Sequence, residues 1–280
     1  MTVNQLYRLG VEKLEKHEVD DPEFDARCLL EYALDVDTTH FLLNRVTPVS
    51  ELIIEKYNNL LSRRIVGEPL QYILGVWEFM GNSFYVGEGV LIPRPETESL
   101  VELAADYIEN INSPVVIDLC SGSGCIAISL AKLYPDARIF AVEKYDEAFS
   151  YLEKNIKLSS VDNVIPVKGD LFDNNLLKDV RADLILSNPP YIRKGDIESL
   201  SNEVRCEPET ALVGGEDGYD YYRFLADYWL GVFLDFGTAM MVECAEDQGE
   251  YIAELFSVYS EMQKIVYDFN NLQRFVLAYK

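Results

Sequence analysis

The chain has 280 residues, 49% of them hydrophobic, enough for one large domain or for a large domain with a small companion. Its net charge of -24 repels phosphate backbones, and its basic points, such as Arg63-Arg64 and Arg193-Lys194, are short; no stable nucleic-acid binding is expected. The apolar runs are strand-length, well below the roughly 20 residues of a membrane span, and the start lacks a basic flank with an apolar core, so a cytoplasmic protein with no membrane partner is expected.

From Asn4 to about Ser62 the chain reads as helical. Apolar residues recur at helical spacing in Leu6–His17, in Asp21–Leu34, where Asp21-Pro22 suits a helix start, and in Ser50–Ile65, where Ser50 can cap. At Pro69 the period changes. Gln71–Pro93 holds short aromatic and β-branched runs broken by Gly75, Gly81, Gly87 and Gly89, which predicts a β-hairpin or meander. The segment ends in Ile92–Glu98, and the residues after it form a helical pattern to about Ile111.

Beyond Pro114 strands and helices alternate. Strands are predicted at Val115–Cys120, Arg138–Glu143, Val164–Gly169, Ala182–Asn188 and Thr238–Cys244. The helices between and after them are Cys125–Tyr134, Ala148–Ser159, Tyr221–Leu234 and Glu250–Ser260. Gln263–Phe269 and Arg274–Lys280 close the chain as an expected antiparallel edge pair. Near-continuous apolar strands between amphipathic helices imply an α/β fold, a mainly parallel seven-stranded sheet covered on both faces. The expected organisation is a helical domain at 1–68, a β-hairpin linker at 69–93 and an α/β domain at 94–280. Five scattered cysteines and two far-upstream histidines suggest neither a disulfide framework nor a metal site.

Two strand ends carry chemistry. Asp118-Leu-Cys120-Ser121-Gly122-Ser-Gly124 lies between a strand and a helix, where glycines let the backbone approach a ligand at a helix amino end. Ala127 stands at the third-glycine position of a dinucleotide fingerprint, and no Lys-Ser or Lys-Thr pair follows; a ligand without a pyrophosphate is favoured. Glu143 closes the second strand, where an acid can accept both hydroxyls of a ribose. Asp118 is expected to fix the turn or meet an amino-acid portion of the ligand. Asp170 could accept from an adenine amine, with Leu171 and Phe172 against the base. The bland reading of these groups is a tight turn, solvent-facing acids and core residues.

At the fourth strand end stands Asn188-Pro189-Pro190-Tyr191. Two prolines stiffen the backbone and remove two N–H groups, leaving carbonyl acceptors. Asn188 adds another acceptor and Tyr191 a flat face. A rigid turn alone would explain the prolines; opposite a nucleoside-binding turn, the run points to recognition of a planar –NH2 group.

The chain resembles the release-factor glutamine methyltransferases, a Rossmann-like family. The resemblance runs through GEPLQYILGVWEFMGNSFYV at 67–86, VLIPRPETESLVE at 90–102, DLCSGSG, AVEKYDEA at 141–148, GDLF at 169–172, NPPYI at 188–192, EVRCEPETALVGGEDGYDYYR at 203–223 and VECAEDQG at 242–249. It implies S-adenosylmethionine as cofactor, held around Asp118, Cys120, Ser121, Gly122, Gly124, Glu143, Asp170, Leu171, Phe172 and Asn188. It implies transfer to the N5 amide of the Gly-Gly-Gln glutamine of peptide chain release factors, with Asn188 and the Pro189 carbonyl holding that amide beside Pro190 and Tyr191. Arg94, Glu96, Thr97 and Phe79 are expected on the substrate side, the bland readings being a salt-bridged corner for Arg94 and Glu96 and a core place for Phe79, and a monomer is expected. Cys120 departs from the small residue, often Gly, usual in the family, and Asn271 and Gln273 depart near the end. NPPY is shared with adenine and guanine amino-methyltransferases, the first alternative; a cofactor-binding interaction protein without catalysis is the second.

Overall fold

The structure, a computed structural model, describes residues 1–233 and 237–279, with Phe233 as backbone alone. It divides into two compact units: Met1–Val76 with Ser201–Cys206, and Trp77–Leu200 with Glu207–Lys280.

The first unit is helical. α1 (Val3–Glu15) opens on a reciprocal cap: Gln5 N–H donates to the Thr2 hydroxyl while the Gln5 side chain accepts from Thr2 N–H. Asp21 caps α2 (Pro22–Leu34), whose first residue is a proline with no N–H to lose. α3 (Thr38–Leu43) is capped by Asp37, and α4 (Glu51–Ile65) by Ser50. α5 (Leu70–Leu74) falls where extended chain was expected. Leu70 and Ile73 are buried at helical spacing, and Gly75, at φ +75°, ends the helix in the left-handed conformation that glycine adopts without steric cost. Leu6, Leu14, Leu29, Leu30, Phe41, Tyr57 and Leu61 fill the interior. Arg64 is buried among them, its Nε donating to Asp25 at 2.5 Å and its Nη2 to Glu203 of the Ser201–Cys206 segment. The Cys206 thiol meets the Gly67 carbonyl.

The second unit opens with a hairpin, β1 (Val76–Phe79) and β2 (Asn82–Tyr85), then α6 (Pro95–Ile108). β3 (Val115–Leu119), α7 (Cys125–Leu133), β4 (Arg138–Glu143), α8 (Asp146–Ser159), β5 (Val164–Lys168) and β6 (Leu184–Ser187) follow. After a short 3-10 turn (Lys194–Ser199) come α9 (Glu209–Leu212), α10 (Asp220–Phe224), a π-helical stretch (Leu225–Leu230) and α11 (Gly231–Phe233). β7 (Ala239–Glu243), α12 (Gly249–Ser257), β8 (Met262–Tyr267) and β9 (Gln273–Tyr279) complete the unit. The single helix expected over Tyr221–Leu234 is thus divided. The wider π turn lets Leu225, Ala226, Trp229 and Leu230 all be buried. Leu234, and Lys280 at the end of the last expected strand, lie outside the described residues.

The sheet has the order β5-β4-β3-β6-β7-β9-β8, parallel except for β9, which runs antiparallel to both its neighbours. Neighbouring residues along a strand face opposite ways. Val116, Leu184, Leu186 and Met241 pack into one core with Leu100, Val101 and Ile128. Ile117, Ile185, Met240 and Val242 pack into the other with Trp229, Tyr222 and Ile252. Both faces are therefore covered, which is why the strands are apolar throughout. The Asn271 departure sits in the turn between β8 and β9 at φ +60°, a conformation asparagine tolerates better than most residues. No helix among the described residues is long and apolar enough to cross a membrane.

Candidate active site

The strand order reverses direction between β3 and β6, and in open α/β sheets the crevice at the carboxyl ends of such a pair is where ligands bind. All four expected motifs end at that edge. β3 leads into the Cys120–Gly124 turn, β4 ends in Glu143, β5 leads to Asp170, and β6 leads to Asn188. One cavity there is lined by Gly122, Glu143, Asp170, Leu171 and Asn188, and also by Arg94, Thr97, Cys120, Ser121, Pro190 and Tyr221.

The turn is held by its own backbone. Ser121 N–H donates to Val142 O at 2.9 Å, Ser121 Oγ to Asp118 O at 2.8 Å, and Gly124 N–H to Ser121 O at 2.8 Å. Gly124 takes φ +82° as it caps α7, and a Cβ there would lie 2.5 Å from Leu152 of the core. Both its conformation and its closeness to α8 demand glycine. Gly124 does not line the cavity; it sets the turn that does. Cys120 sits at φ +61°, a position where glycine is free of strain and a larger residue is not. Its thiol is pushed well up by burial and by the Glu143 and Asp118 carboxylates.

Glu143 is buried, and each of its oxygens accepts a backbone N–H: Gly122 at 3.0 Å and Tyr145 at 2.8 Å. Burial pushes its carboxyl up, while those N–H groups, that of Lys144 and the Lys168 charge pull it back. Each oxygen keeps a lone pair for a further donor. Asp118 lies beneath the turn, fully buried. Neither of its oxygens has a full hydrogen bond among the described residues. Burial pushes it up to about 7, against the pull of the Ser121 hydroxyl and the Ala127 N–H at the amino end of α7. Asp170 accepts from Phe172 N–H at 3.0 Å and pairs with Lys144 at 2.8 Å. Phe172 does not line the cavity. It packs on Tyr221 and Phe224, ring centroids 5.2 and 4.9 Å away, so it supports Tyr221, which does line it.

Across the cavity the Asn188 Nδ2 donates to Thr97 Oγ1 at 3.2 Å, and Thr97 Oγ1 donates to Glu243 at 2.7 Å. No group among the described residues donates to the Pro189 carbonyl, whereas the Tyr191 carbonyl accepts from Gln248 at 3.0 Å. The Tyr191 ring is half-buried and, like Pro189, is not part of the cavity wall; its hydroxyl is pushed up by burial. Arg94 does line the cavity and pairs with the buried Glu207, which also accepts from Ile92 N–H at 2.9 Å. Glu96 is exposed on the first turn of α6, away from the cavity wall. Phe79, expected on the substrate side, lies elsewhere: it is 1% exposed, packed edge-to-face on Phe84 in the core. A hairpin aromatic surrounded by apolar side chains gains more by full burial than by facing a polar cleft.

Sequence reasoning missed Glu243 and Tyr221. Glu243 is 1% exposed at the end of β7 and is pushed up to about 7 by burial, with Thr97, Arg274 and Asn188 pulling it down. The signal that picked out Glu143, an acid closing an apolar strand at the ligand edge, applies equally to Glu243. Nothing in the run Tyr219–Phe224 marks which aromatic faces the cavity.

Residues 5–75 match the family profile described as the PrmC N-terminal domain, and 105–207 match that of the TRM5/TYW2 methyltransferase domain. The release factor glutamine methyltransferase of Clostridium acetobutylicum is 36% identical over 260 residues, 91% of this chain and 90% of its own. That of Aquifex aeolicus is 32% identical over 277 residues, 99% and 98% of the two chains. The crystal structure of the hMettl16 catalytic domain in complex with a MAT2A 3'UTR hairpin superposes with a TM-score of 0.58 at 16% identity, covering 79% of this chain and 82% of that one, a likeness of fold. With relatives this similar over nearly their whole length, the chain belongs to the release factor glutamine methyltransferase family.

Proposed function

We propose that this chain transfers the methyl group of S-adenosylmethionine to the N5 amide nitrogen of the Gly-Gly-Gln glutamine in peptide chain release factors. The observation that carries the reading is one cavity walled on one side by Gly122 and Glu143 and on the other by Asn188. Nucleoside-binding chemistry and amide-binding chemistry then face the same space.

The residues fit the cofactor. A Cβ at Gly122 would meet nothing within 4 Å, so the turn leaves open space beside a free backbone surface. Glu143 offers two oxygens to ribose hydroxyls, Asp170 an acceptor, and Leu171 and Tyr221 apolar and aromatic walls. Asp118, buried without a full hydrogen bond, favours a nearby cation or N–H. When bound, S-adenosylmethionine supplies an electrophilic methyl group on a sulfonium.

An amide nitrogen is a poor nucleophile because its lone pair is delocalised. Asn188 Oδ1 and the Pro189 carbonyl accept its two hydrogens, orient the nitrogen, and offset positive charge as it develops in the transfer. The nitrogen–methyl bond forms as the sulfur–methyl bond breaks, leaving S-adenosylhomocysteine, and one of the nitrogen's protons passes to water. The two prolines make the acceptors rigid, so little reorganisation is needed as charge appears. We assign docking of the release factor to the helical unit; the acidity of the chain suits a basic partner surface.

Methyl transfer from labelled S-adenosylmethionine to full-length release factor tests this. Label is expected on the intact Gly-Gly-Gln loop, absent from its glutamine-to-alanine version, and lost with Asn188→Ala. Label on DNA or tRNA supplied as competitors, or none despite cofactor binding, would overturn the reading.

A further inference from the structure

We propose that Glu243 and Thr97 are positioning residues that lock the Asn188 carboxamide with its oxygen turned toward the substrate and its NH2 turned away. This rests on the amide-transfer reading above and identifies what makes the site select an amide.

The direction of the relay follows from the number of hydrogens available. Thr97, on the first turn of α6, is 2% exposed, so water does not complete its hydrogen bonding. Its hydroxyl lies 2.7 Å from Glu243 Oε2 and 3.2 Å from Asn188 Nδ2. A hydroxyl has one hydrogen, and an ionised carboxylate can only accept. That hydrogen therefore goes to Glu243, leaving Thr97 Oγ1 with lone pairs alone. Whatever Asn188 turns toward Thr97 must donate, so it is the NH2, and Oδ1 points the opposite way. The sense of an amide that could otherwise flip is thus dictated by the Glu243 carboxylate, through Thr97 and through its own hydrogen bond from Asn188. The three groups come from α6, β7 and the loop after β6, so tertiary structure sets the sense, not local sequence. Burial favours the neutral form of Glu243 while Arg274, on β9, favours the charged one, and the relay runs in this direction when Glu243 is charged.

The consequence is selectivity. With Oδ1 and the Pro189 carbonyl both accepting, the site welcomes two N–H hydrogens. A glutamate in place of the target glutamine would set a carboxylate oxygen against two acceptors. An Asn188 turned the other way would set NH2 against NH2.

Thr97→Val keeps the shape and removes both halves of the relay; Thr97→Ser keeps them. Thr97→Val is expected to lower kcat about 10- to 100-fold, with KM for release factor and Kd for S-adenosylmethionine unchanged, and Thr97→Ser to recover most of the loss. Glu243→Gln should fall as far as Thr97→Val, because an amide there turns a donor toward Thr97 or Asn188. A second readout is independent of turnover: NMR hydrogen exchange of the Asn188 side-chain NH2, its signals identified by their absence in Asn188→Asp. Exchange should quicken about tenfold or more in Thr97→Val and stay slow in Thr97→Ser. Wild-type kcat or wild-type exchange in Thr97→Val overturns the relay. A wild type that never labels release factor would count against the amide-transfer reading, and the exchange comparison would still decide the relay.

Discussion

Replacing Glu143 by glutamine hardly alters shape but turns one oxygen acceptor into a donor. In the structure both oxygens are used, one by Gly122 N–H at 3.0 Å and one by Tyr145 N–H at 2.8 Å. Glutamine can serve only one of these. The other N–H then faces an NH2 in a buried place, at a cost of about 1–3 kcal/mol. If the Gly122 bond is lost, the turn comes away from the end of β4; if the Tyr145 bond is lost, the start of α8 loosens. Either way the ribose that we propose Glu143 holds also loses an acceptor, a charge-assisted bond of about 1.5–3 kcal/mol, equivalent to roughly 10- to 150-fold in Kd. Removing a buried charge works in the other direction on the free protein, since burial already pushes Glu143 toward its neutral form. Glu143→Gln should therefore weaken S-adenosylmethionine binding by at least tenfold while shifting the Tm of the ligand-free protein by only a few degrees. Isothermal titration beside thermal unfolding separates the two effects. Cofactor affinity within twofold of wild type would refute the account.

Phe79→Ala should destabilise the second unit by about 3–5 kcal/mol in urea unfolding and leave cofactor Kd alone below the transition; weakened binding in a stably folded variant would return Phe79 to the substrate side. Asp118 is held near 7 by burial, above its ordinary value of 3.8, so the folded protein binds an extra proton between about pH 4 and 7. That contribution is fully present below about pH 4 and lost as pH rises through 7. Asp118→Asn should thus raise Tm relative to wild type more at pH 8 than at pH 5, and an equal difference at both would contradict the assignment. Arg64→Met leaves the buried Asp25 unpaired and should cost about 3–5 kcal/mol, with part recovered in Arg64→Met combined with Asp25→Asn; no recovery would mean the loss is one of packing.

The α/β order was legible because periodicity and strand-terminal chemistry coincide: Gly122, Glu143, Asp170 and Asn188 each stand just at or after the end of an apolar run. What escaped had specific causes. Leu70–Leu74 has a helical spacing too short to separate from extended chain without knowing that Gly75 takes a left-handed turn. The π stretch depends on Trp229 finding the Leu171 carbonyl, 58 residues earlier in the chain, a pairing no local pattern records. Phe79 and Phe172 are aromatic in suitable motifs, yet one is core and the other backs Tyr221; residue type alone does not say which side of a wall a ring occupies. Glu243 was visible by the rule applied to Glu143 but is recognisable as part of the site only once Thr97, 146 residues earlier, is seen to touch it.

Ser201–Cys206, which belongs to the helical unit although it is threaded between parts of the other, constrains how such a chain can be inherited. A module joined at one end can be gained, lost or exchanged by a single crossover. Here Arg64 finds Glu203, and Gly67 finds Cys206, from a passage more than a hundred residues downstream. A chimaera that replaces residues 1–76 with those of a relative lacking an arginine at position 64 leaves Glu203 without this partner unless 201–206 is replaced as well. Changes at Arg64 and Glu203 should accordingly be accepted together or not at all, so that the helical unit is passed on as two separated stretches of one gene.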